Sequence, residues 1–449
     1  MGSMPIGYRK RKPRKSPLFR LLGDHWDAFT GEYDELFAPN HGEFRRRVGT
    51  VVGQFQECGI PDYGFVRIRC EECHAEHLLP FSCKSRGFCP SCAAKRECFF
   101  AEFLQQEVLA KVTHRHVVFT IPKRLRGIFL RDRHLLPELS RIGYESVLET
   151  LREQLGIPVG RGAAVIASQT FGSLLDFTPH AHALFAWGLF EGESEYTGAC
   201  ESPRDVVEDL FRHKVFTFLL ERGLISEHVI ESMLQWNHSG FSVFIGPPVY
   251  AYDTRRIQQL AGYIVRGPVA LSRLKYDRDI SGPDDRETRA LGRARGMDVL
   301  PEGRVTYKAG KEKKRYGESC RVWTPFLFLL DLIRHIPERH QKMVNYYGWY
   351  SNRSRGDRKK KVAEECDLRI KSSSTLKSLG HWRRFIKLVY EVDPLICPNC
   401  HKEMQVVSWI HEPDVVFRIL NHTDLLDRDQ EWKGSGADPP VVEKRRAVP

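Results

Sequence analysis

Two histidines separated by one residue, His180 and His182, open the run "DFTPHAHALFAWG" at residues 176–188. Upstream stand two cysteine pairs at C-x2-C spacing, Cys70/Cys73 and Cys89/Cys92. Imidazole nitrogens and thiolates are the side-chain donors that suit divalent transition metals. Side chains on a strand alternate between faces, so His180, His182, Leu184 and Ala186 share one face, and Ala181, Ala183, Phe185 and Trp187 share the other. Residues two apart on one face have Cα atoms about 6.5–7 Å apart, which lets both rings converge on one ion. The second face reads as a core face, and Pro179 suits the first residue of a strand. The pair by itself also fits two polar residues at a strand end, so its surroundings must decide.

The cysteines carry a stronger signal. Two knuckles fit a tetrahedral Zn²⁺ with thiolates at about 2.3 Å. Cys70, Cys73, Cys89 and Cys92 are therefore expected to form one structural zinc site with no open position. Cys83 and Cys58 are further candidates, to replace one of the four or to join His74 or His77. The chain has 12 cysteines and no apolar export signal at its start. Clustered thiols in such a chain point to metal rather than to disulfides. Cys397 and Cys400, in "CPNC", form an isolated knuckle beside His401 that needs partners from elsewhere. Lys84, Arg86, Lys95 and Arg96 surround the upstream module and would give it a DNA-contacting face.

A tyrosine completes the chemistry. In the helix expected from Thr254, residues Ile257, Leu260, Ala261 and Ile264 form a buried stripe, and Tyr263 stands at its margin. The phenol either packs or points toward the histidines. In the second case a cation held by two imidazoles would polarise a scissile phosphate for attack by the phenolate. Arg266, beside it, would hold the DNA backbone.

The elements that must position these residues alternate irregularly. Residues 17–57 and 131–155 read as helical, as do 203–236 and "TPFLFLLDLIRHIP". "HRHVVFTIP", "GAAVIASQTFGSLLDF", "PHAHALFAWGLF" and "GFSVFIGPPVYAYD" read as strands. Gly267-Pro268 should end the Tyr263 helix. "PEGRVTYKAGKEKKRYG" reads as a lysine-bearing hairpin, "NRSRGDRKKKVAEEC" as a basic flexible segment, and "SLGHWRRFIKLVYEVDP" as a helix. The pattern predicts an α+β fold with an antiparallel sheet. The expected division is a basic arm and lead-in helix over 1–50, a zinc-binding domain over 51–105, a nuclease domain over 106–290, an accessory DNA-contact region over 291–385 and a C-terminal segment over 386–449.

Composition agrees with a nucleic-acid partner. The 449 residues carry 69 Lys and Arg against 57 Asp and Glu, a net charge of +12. An excess of that sign suits a polyanion. No apolar run approaches the roughly 20 residues of a membrane span. A cytoplasmic protein without a membrane partner is expected.

Several of these stretches together resemble a known family. "TPHAHALFAWGLF" followed by "GFSVFIGPPVYAYDTRRIQQLAGYIVRGPVALSRL" resembles the HUH endonuclease core of rolling-circle transposases of the insertion-sequence-91 family. "CEECHAEHLLPFSCKSRGFCPSCAAKR" is similar to that family's N-terminal zinc-binding domain, and "VYEVDPLICPNCHKEMQVVSWI" to its C-terminal signature. The resemblance implies an antiparallel HUH core with His180 and His182 as ligands of a catalytic Mg²⁺ or Mn²⁺, and with Tyr263 as the nucleophile. It also implies nicking of single-stranded or hairpin DNA ends through a 5′-phosphotyrosine, with no nucleotide cofactor, in a bacterial cell. Two-tyrosine relatives carry a second tyrosine four residues away, where this chain has Gln259 and Gly267. Tyr346, Tyr347 and Tyr350 are the other possible source of one. The third metal ligand stays open among Gln259, Gln169, Asp176 and His116. A replication initiator or relaxase of the same class, and a non-catalytic zinc-dependent DNA-binding protein, are the alternative functions.

Overall fold

The structure is a computed structural model. It describes residues 13–85, 87–192, 195–283, 289, 303–310, 320–365, 395–397 and 399–422. The start of the basic arm (1–12), Arg86, the lysine-bearing turn (311–319), the helix expected over 378–394 and the tail from 423 lie outside the described residues.

Helices α1 (Pro17–Leu36), α2 (Ala38–His41) and α3 (Arg46–Gln56) precede the hairpin β1 (Phe65–Cys70) and β2 (Glu76–Pro80), and α4 (Pro90–Phe103) follows. Then come β3 (His114–Thr120), α5 (Lys123–Arg131), α6 (Leu136–Leu155), β4 (Ala163–Phe171), β5 (Phe177–Ala186), β6 (Gly188–Glu191) and β7 (Glu195–Gly198). The chain continues through α7 (Arg204–Glu221), α8 (Glu227–Leu234), β8 (Ser242–Ile245), α9 (Thr254–Ile264), β9 (Leu274–Asp277), β10 (Arg304–Lys308) and β11 (Cys320–Trp323). The last elements are α10 (Pro325–Ile333), β12 (Val344–Gly348), α11 (Asn352–Glu365), β13 (Met404–Ile410) and α12 (Pro413–His422).

The expected α+β class holds, and every described strand pair is antiparallel. The largest sheet has five strands in the order β12-β4-β5-β3-β8. Its middle strand, β5, carries the histidine pair. On one face Ala181, Ala183 and Phe185 join Val117, Phe119, Ala164 and Ile166 under α5, α6 and α7. On the other, Leu184 and Ala186 join Ala163, Val165 and Ala167 under Ala101 of α4 and Ala261 and Ile264 of α9. Both faces of β5 are therefore core, where alternation identified one. Small residues there let two helices approach the sheet closely.

The remaining sheets join distant parts of the chain. β9, β10 and β11 form one core with α1, α3 and α10 through Leu18, Phe29, Val52, Tyr276, Tyr307 and Phe328. β13 pairs with β1 in the order β13-β1-β2, so the C-terminal strand completes the N-terminal hairpin.

One local expectation is corrected, and one helix end falls where the sequence expects it. The basic segment after Tyr350 is helical, not flexible, as α11. Arg355 and Arg358 anchor its start, with guanidinium carbons 5.0 Å from the Tyr346 ring centroid and 3.4 Å from that of Trp349. The Tyr263 helix ends at Ile264, before Gly267-Pro268. Its start is fixed by Asp253, whose Oδ1 accepts the Arg256 N–H at 3.0 Å.

Two buried histidines outside the candidate site tie elements together as neutral rings. His114 donates from Nδ1 to the Val112 carbonyl at 2.9 Å, and its Nε2 accepts the Tyr350 hydroxyl at 2.7 Å. His335 donates from Nε2 to the Leu175 carbonyl at 2.9 Å, and its Nδ1 accepts from the Thr170 hydroxyl at 3.1 Å. Burial pushes both down to about 4. The unfolded rings protonate near 6.5, so this stability is complete above that pH and is lost as pH falls toward 4. Each shift is on the order of 3 kcal/mol. Chemical denaturation between pH 7 and 4 should show this loss, and His335→Gln should flatten the profile by about half of the two-residue effect.

Candidate active site and metal centres

Strand register assembles the site. Across β5, His180 stands opposite Gln169 of β4 and Thr120 of β3, while His182 stands opposite Ala167 and Val118. His116 of β3 is opposite Leu184, on the same face as the pair. His180 and His182 are both buried. Their Nε2 atoms lie 3.0 Å apart. His180 Nδ1 is 2.6 Å from the Thr178 carbonyl, which can only accept, so Nδ1 carries the proton and Nε2 keeps its lone pair. His182 Nδ1 lies 3.0 Å from His116 Nε2. With a proton on that Nδ1, His182 also turns a lone pair toward His180. Two nitrogen ligands at about 2.1 Å and a right angle would be about 3.0 Å apart, so the spacing fits adjacent positions around one cation.

Burial keeps the rings neutral. It pushes His180 down to about 4, assisted by the positive charges of Arg266 and Arg126 against the bond to Thr178. Burial also pushes His116 down to about 4. His182 is held well below the ordinary imidazole range by burial first, then by His180, His116 and Arg266. Neutral rings at physiological pH have the lone pairs a metal needs.

α9 brings Tyr263 over this group. Its ring is edge-on to His182 at 5.3 Å and to His116 at 6.0 Å between centroids. The Arg266 guanidinium carbon lies 4.3 Å from the Tyr263 centroid. Gln169 fastens the helix end: its Nε2 donates to the Ile264 carbonyl at 2.9 Å and to the Tyr263 carbonyl at 3.3 Å. The Gln169 Oε1 is buried without a hydrogen-bond partner. Gln259, one turn before Tyr263, is exposed. Asp176 stands at the entrance to β5, accepting from the Thr178 hydroxyl at 2.5 Å, with Arg126 at 3.9 Å.

The later tyrosines pack elsewhere. Tyr350 is fully buried, and its hydroxyl donates to His114 and accepts from the Ala110 N–H at 3.1 Å. Tyr347 stacks on Tyr144 at 4.9 Å, and Tyr346 lies under Arg355.

The cysteines divide differently from the sequence expectation. Cys70 and Cys73 do not meet Cys89 and Cys92; each knuckle belongs to its own group of four. The first group is Cys58, Cys83, Cys89 and Cys92. Cys58 follows α3, Cys83 follows β2, Cys89 precedes Pro90 at the start of α4, and Cys92 lies in the first turn of that helix. The β1-β2 hairpin lies between these segments and carries Cys70 and Cys73 away on its own turn. That is why the two knuckles separate. Sulfur separations are 3.8 Å for Cys58–Cys92, 3.6 Å for Cys83–Cys92 and 3.8 Å for Cys58–Cys89. A tetrahedron with 2.3 Å metal–sulfur bonds has edges of about 3.8 Å, so the group fits structural zinc. Hydrogen bonds from Cys83, then Cys89 and Cys92, hold the Cys58 thiol far below the usual thiol range. A cleft of about 260 Å³ beside this group is lined by Arg47, Lys84, Arg96, Gln169 and Arg266 among others. Sequence spacing left Cys58 and Cys83 only as further candidates, and the fold brings both to the first group. The contact of His116 with His182 was hidden, since it depends on β3 lying beside β5.

The matches to known proteins span both halves of this site. Residues 24–121 match the family described as a transposase zinc-binding domain, and residues 163–279 match a family described as "Putative transposase". The first span contains the first cysteine group, Cys70, Cys73 and His116; the second contains Gln169, His180, His182 and Tyr263. The chain is 25% identical over 371 residues to the transposase for insertion sequence element IS801 of Pseudomonas savastanoi pv. phaseolicola. That similarity covers 79% of this chain and 82% of that protein. No solved structure matches the chain. Among the described residues no helix is long and apolar enough to cross a membrane. The two family matches in this order, with a relative aligned over most of its length, support a transposase of the insertion-sequence-91 type.

Proposed function

We propose that this transposase nicks and rejoins single-stranded or hairpin DNA at element ends through Tyr263, in rolling-circle transposition, on an HUH endonuclease core. The observation that carries this reading is the Tyr263 ring set edge-on to His182 at 5.3 Å, above two imidazole nitrogens 3.0 Å apart. The 3.0 Å spacing and the neutral rings suit His180 and His182 as the residues that would hold Mg²⁺ or Mn²⁺, with Gln169, opposite His180 and with its Oε1 buried and unpartnered, as the third donor. A cation held there supplies Lewis-acid polarisation of the scissile phosphate.

The Tyr263 oxygen forms a bond to phosphorus as the bond to the 3′-side oxygen breaks, which leaves a 5′-phosphotyrosine and a free 3′-hydroxyl. A target 3′-hydroxyl then attacks the same phosphorus and releases Tyr263. The ester conserves the bond energy, so joining needs no nucleotide cofactor. Arg266 binds the phosphate backbone beside the ring, and Gln169 holds the tyrosine-bearing helix in place. His116 acts as a positioning residue, accepting from His182 Nδ1 so that Nε2 faces the cation. One tyrosine serves both steps in turn.

Surface chemistry around the site suits a single strand. Arg47, Lys84 and Arg96 line the cleft next to Arg266. Phe244, 53% exposed on edge strand β8, has its ring centroid 6.1 Å from that of His116. Tyr250 and Tyr252 stack at 5.4 Å in the loop leading to α9, with Tyr252 81% exposed. Basic grooves with exposed rings are how single strands are held.

Incubation with Mn²⁺ and single-stranded oligonucleotides containing the element ends should give a covalent adduct that survives denaturation. Tyr263→Phe should abolish it while DNA affinity stays within about twofold; an undiminished adduct would remove Tyr263 from the mechanism. His116→Ala should raise the Mn²⁺ concentration needed for half-maximal adduct by about 10–100-fold, with recovery at high Mn²⁺. A loss that metal does not rescue would argue against a positioning role.

A further inference from the structure

The second cysteine group lies apart from the candidate active site, and only half of it falls in the matched zinc-binding domain: Cys70 and Cys73 lie within residues 24–121, whereas Cys397 and Cys400 lie far beyond. Cys70 and Cys73 meet Cys397 and Cys400, with all four sulfurs within 4.8 Å of one another. Cys70 is 3.5 Å from Cys400 and Cys73 is 3.3 Å from Cys397, across 330 and 324 residues of sequence. All four are free thiols.

The two knuckles repeat one turn. In each, the N–H of the histidine after the second cysteine donates to the carbonyl of the first: His74 to Cys70 at 3.1 Å, and His401 to Cys397 at 2.9 Å. Both histidines have left-handed backbones, φ 57° and 58°. That conformation costs a residue with a side chain on the order of 1 kcal/mol, and here it recurs in both halves of one cluster. Each knuckle also caps an antiparallel pair. Arg69 pairs with Glu76 on one side, and an isolated bridge joins Ile396 to Glu403 on the other. Two hairpin-borne knuckles facing each other are the arrangement of a zinc ribbon.

We propose that Cys70, Cys73, Cys397 and Cys400 bind a second zinc ion, which docks β13 and α12 onto the N-terminal hairpin. The apolar core around these cysteines is small. Val66, Ile68 and Met404 are its only fully buried members besides Cys70 and Cys397 among the described residues. Trp409 and Phe417 of the docked segment stay 56% and 60% exposed. Phe65, Ile410, Val416 and Leu420 add a second cluster of four, so the segment that returns from more than 300 residues away rests on two small cores that a metal would reinforce. The two ions differ in shelter. Three of the four cysteines in the first group are buried, whereas Cys73 is exposed. The second ion therefore leaves first.

Elemental analysis of the purified full-length protein should find two zinc ions per chain, and X-ray absorption should show sulfur-only coordination. Excess chelator should remove one ion before the other. Loss of that first ion should raise protease cleavage at residues 395–422 at least tenfold. C397S/C400S and C70S/C73S should each retain one zinc, and the quadruple variant should retain one as well. One zinc per chain in the unmodified protein overturns the proposal, as does retention of both by C397S/C400S. A cleavage pattern unchanged by zinc removal overturns the docking role. The metal count and chelation use the unmodified protein, so poor folding of a variant leaves the proposal testable.

Discussion

Two imidazoles in the middle strand of a sheet that is core on both faces are the constraint from which the rest of the candidate site follows. Water cannot reach them freely, so each ring nitrogen needs a partner. Thr178 takes the His180 Nδ1 proton, and His116 answers His182 Nδ1. What remains is a pair of Nε2 atoms 3.0 Å apart. Burial keeps both rings neutral. A neutral His182 either carries its hydrogen on Nε2 and donates it to His180 Nε2, or carries it on Nδ1 and leaves both Nε2 lone pairs open to a cation.

The neighbours follow that constraint. β3 must lie beside β5 to supply His116, and β4 to supply Gln169 opposite His180. α9 approaches closely because Ala167 and Ala261 are small, and the carbonyls at its C-terminal end find the Gln169 amide. Tyr263 then has one place to be, over the imidazoles and under Arg266. The structural boundary differs from the boundary between family matches. The zinc-binding match runs through β3 to residue 121, yet β3 is an interior strand of the sheet that holds the catalytic candidates.

Clustered thiols stand elsewhere beside the apolar cores. The first cysteine group lies inside the core that α1 and α3 share with the sheet of β9, β10 and β11. The second lies where β13 joins the β1–β2 hairpin in a single three-stranded sheet. The five-stranded sheet lies between β2 and β13 in sequence.

Local periodicity and chemistry were legible in the residues alone. Alternation put His180 and His182 on one face, the stripe from Ile257 to Ile264 marked α9, and the cysteine knuckles announced metal. These features depend on neighbours a few residues away, through strand pleat, helix turn and the bend of C-x2-C. Basic composition alone misread 352–365, because the aromatic rings under Arg355 and Arg358 come from the preceding strand and turn. Which knuckle meets which, that Cys58 completes the first group, and that His116 rather than solvent faces His182 were decided only by the tertiary structure. Each joins segments between 25 and 330 residues apart. A C-x2-C pair specifies two corners of a tetrahedron and is silent about the other two; only the pairing of β1 with β13 brings Cys397 and Cys400 to the corners left open by Cys70 and Cys73.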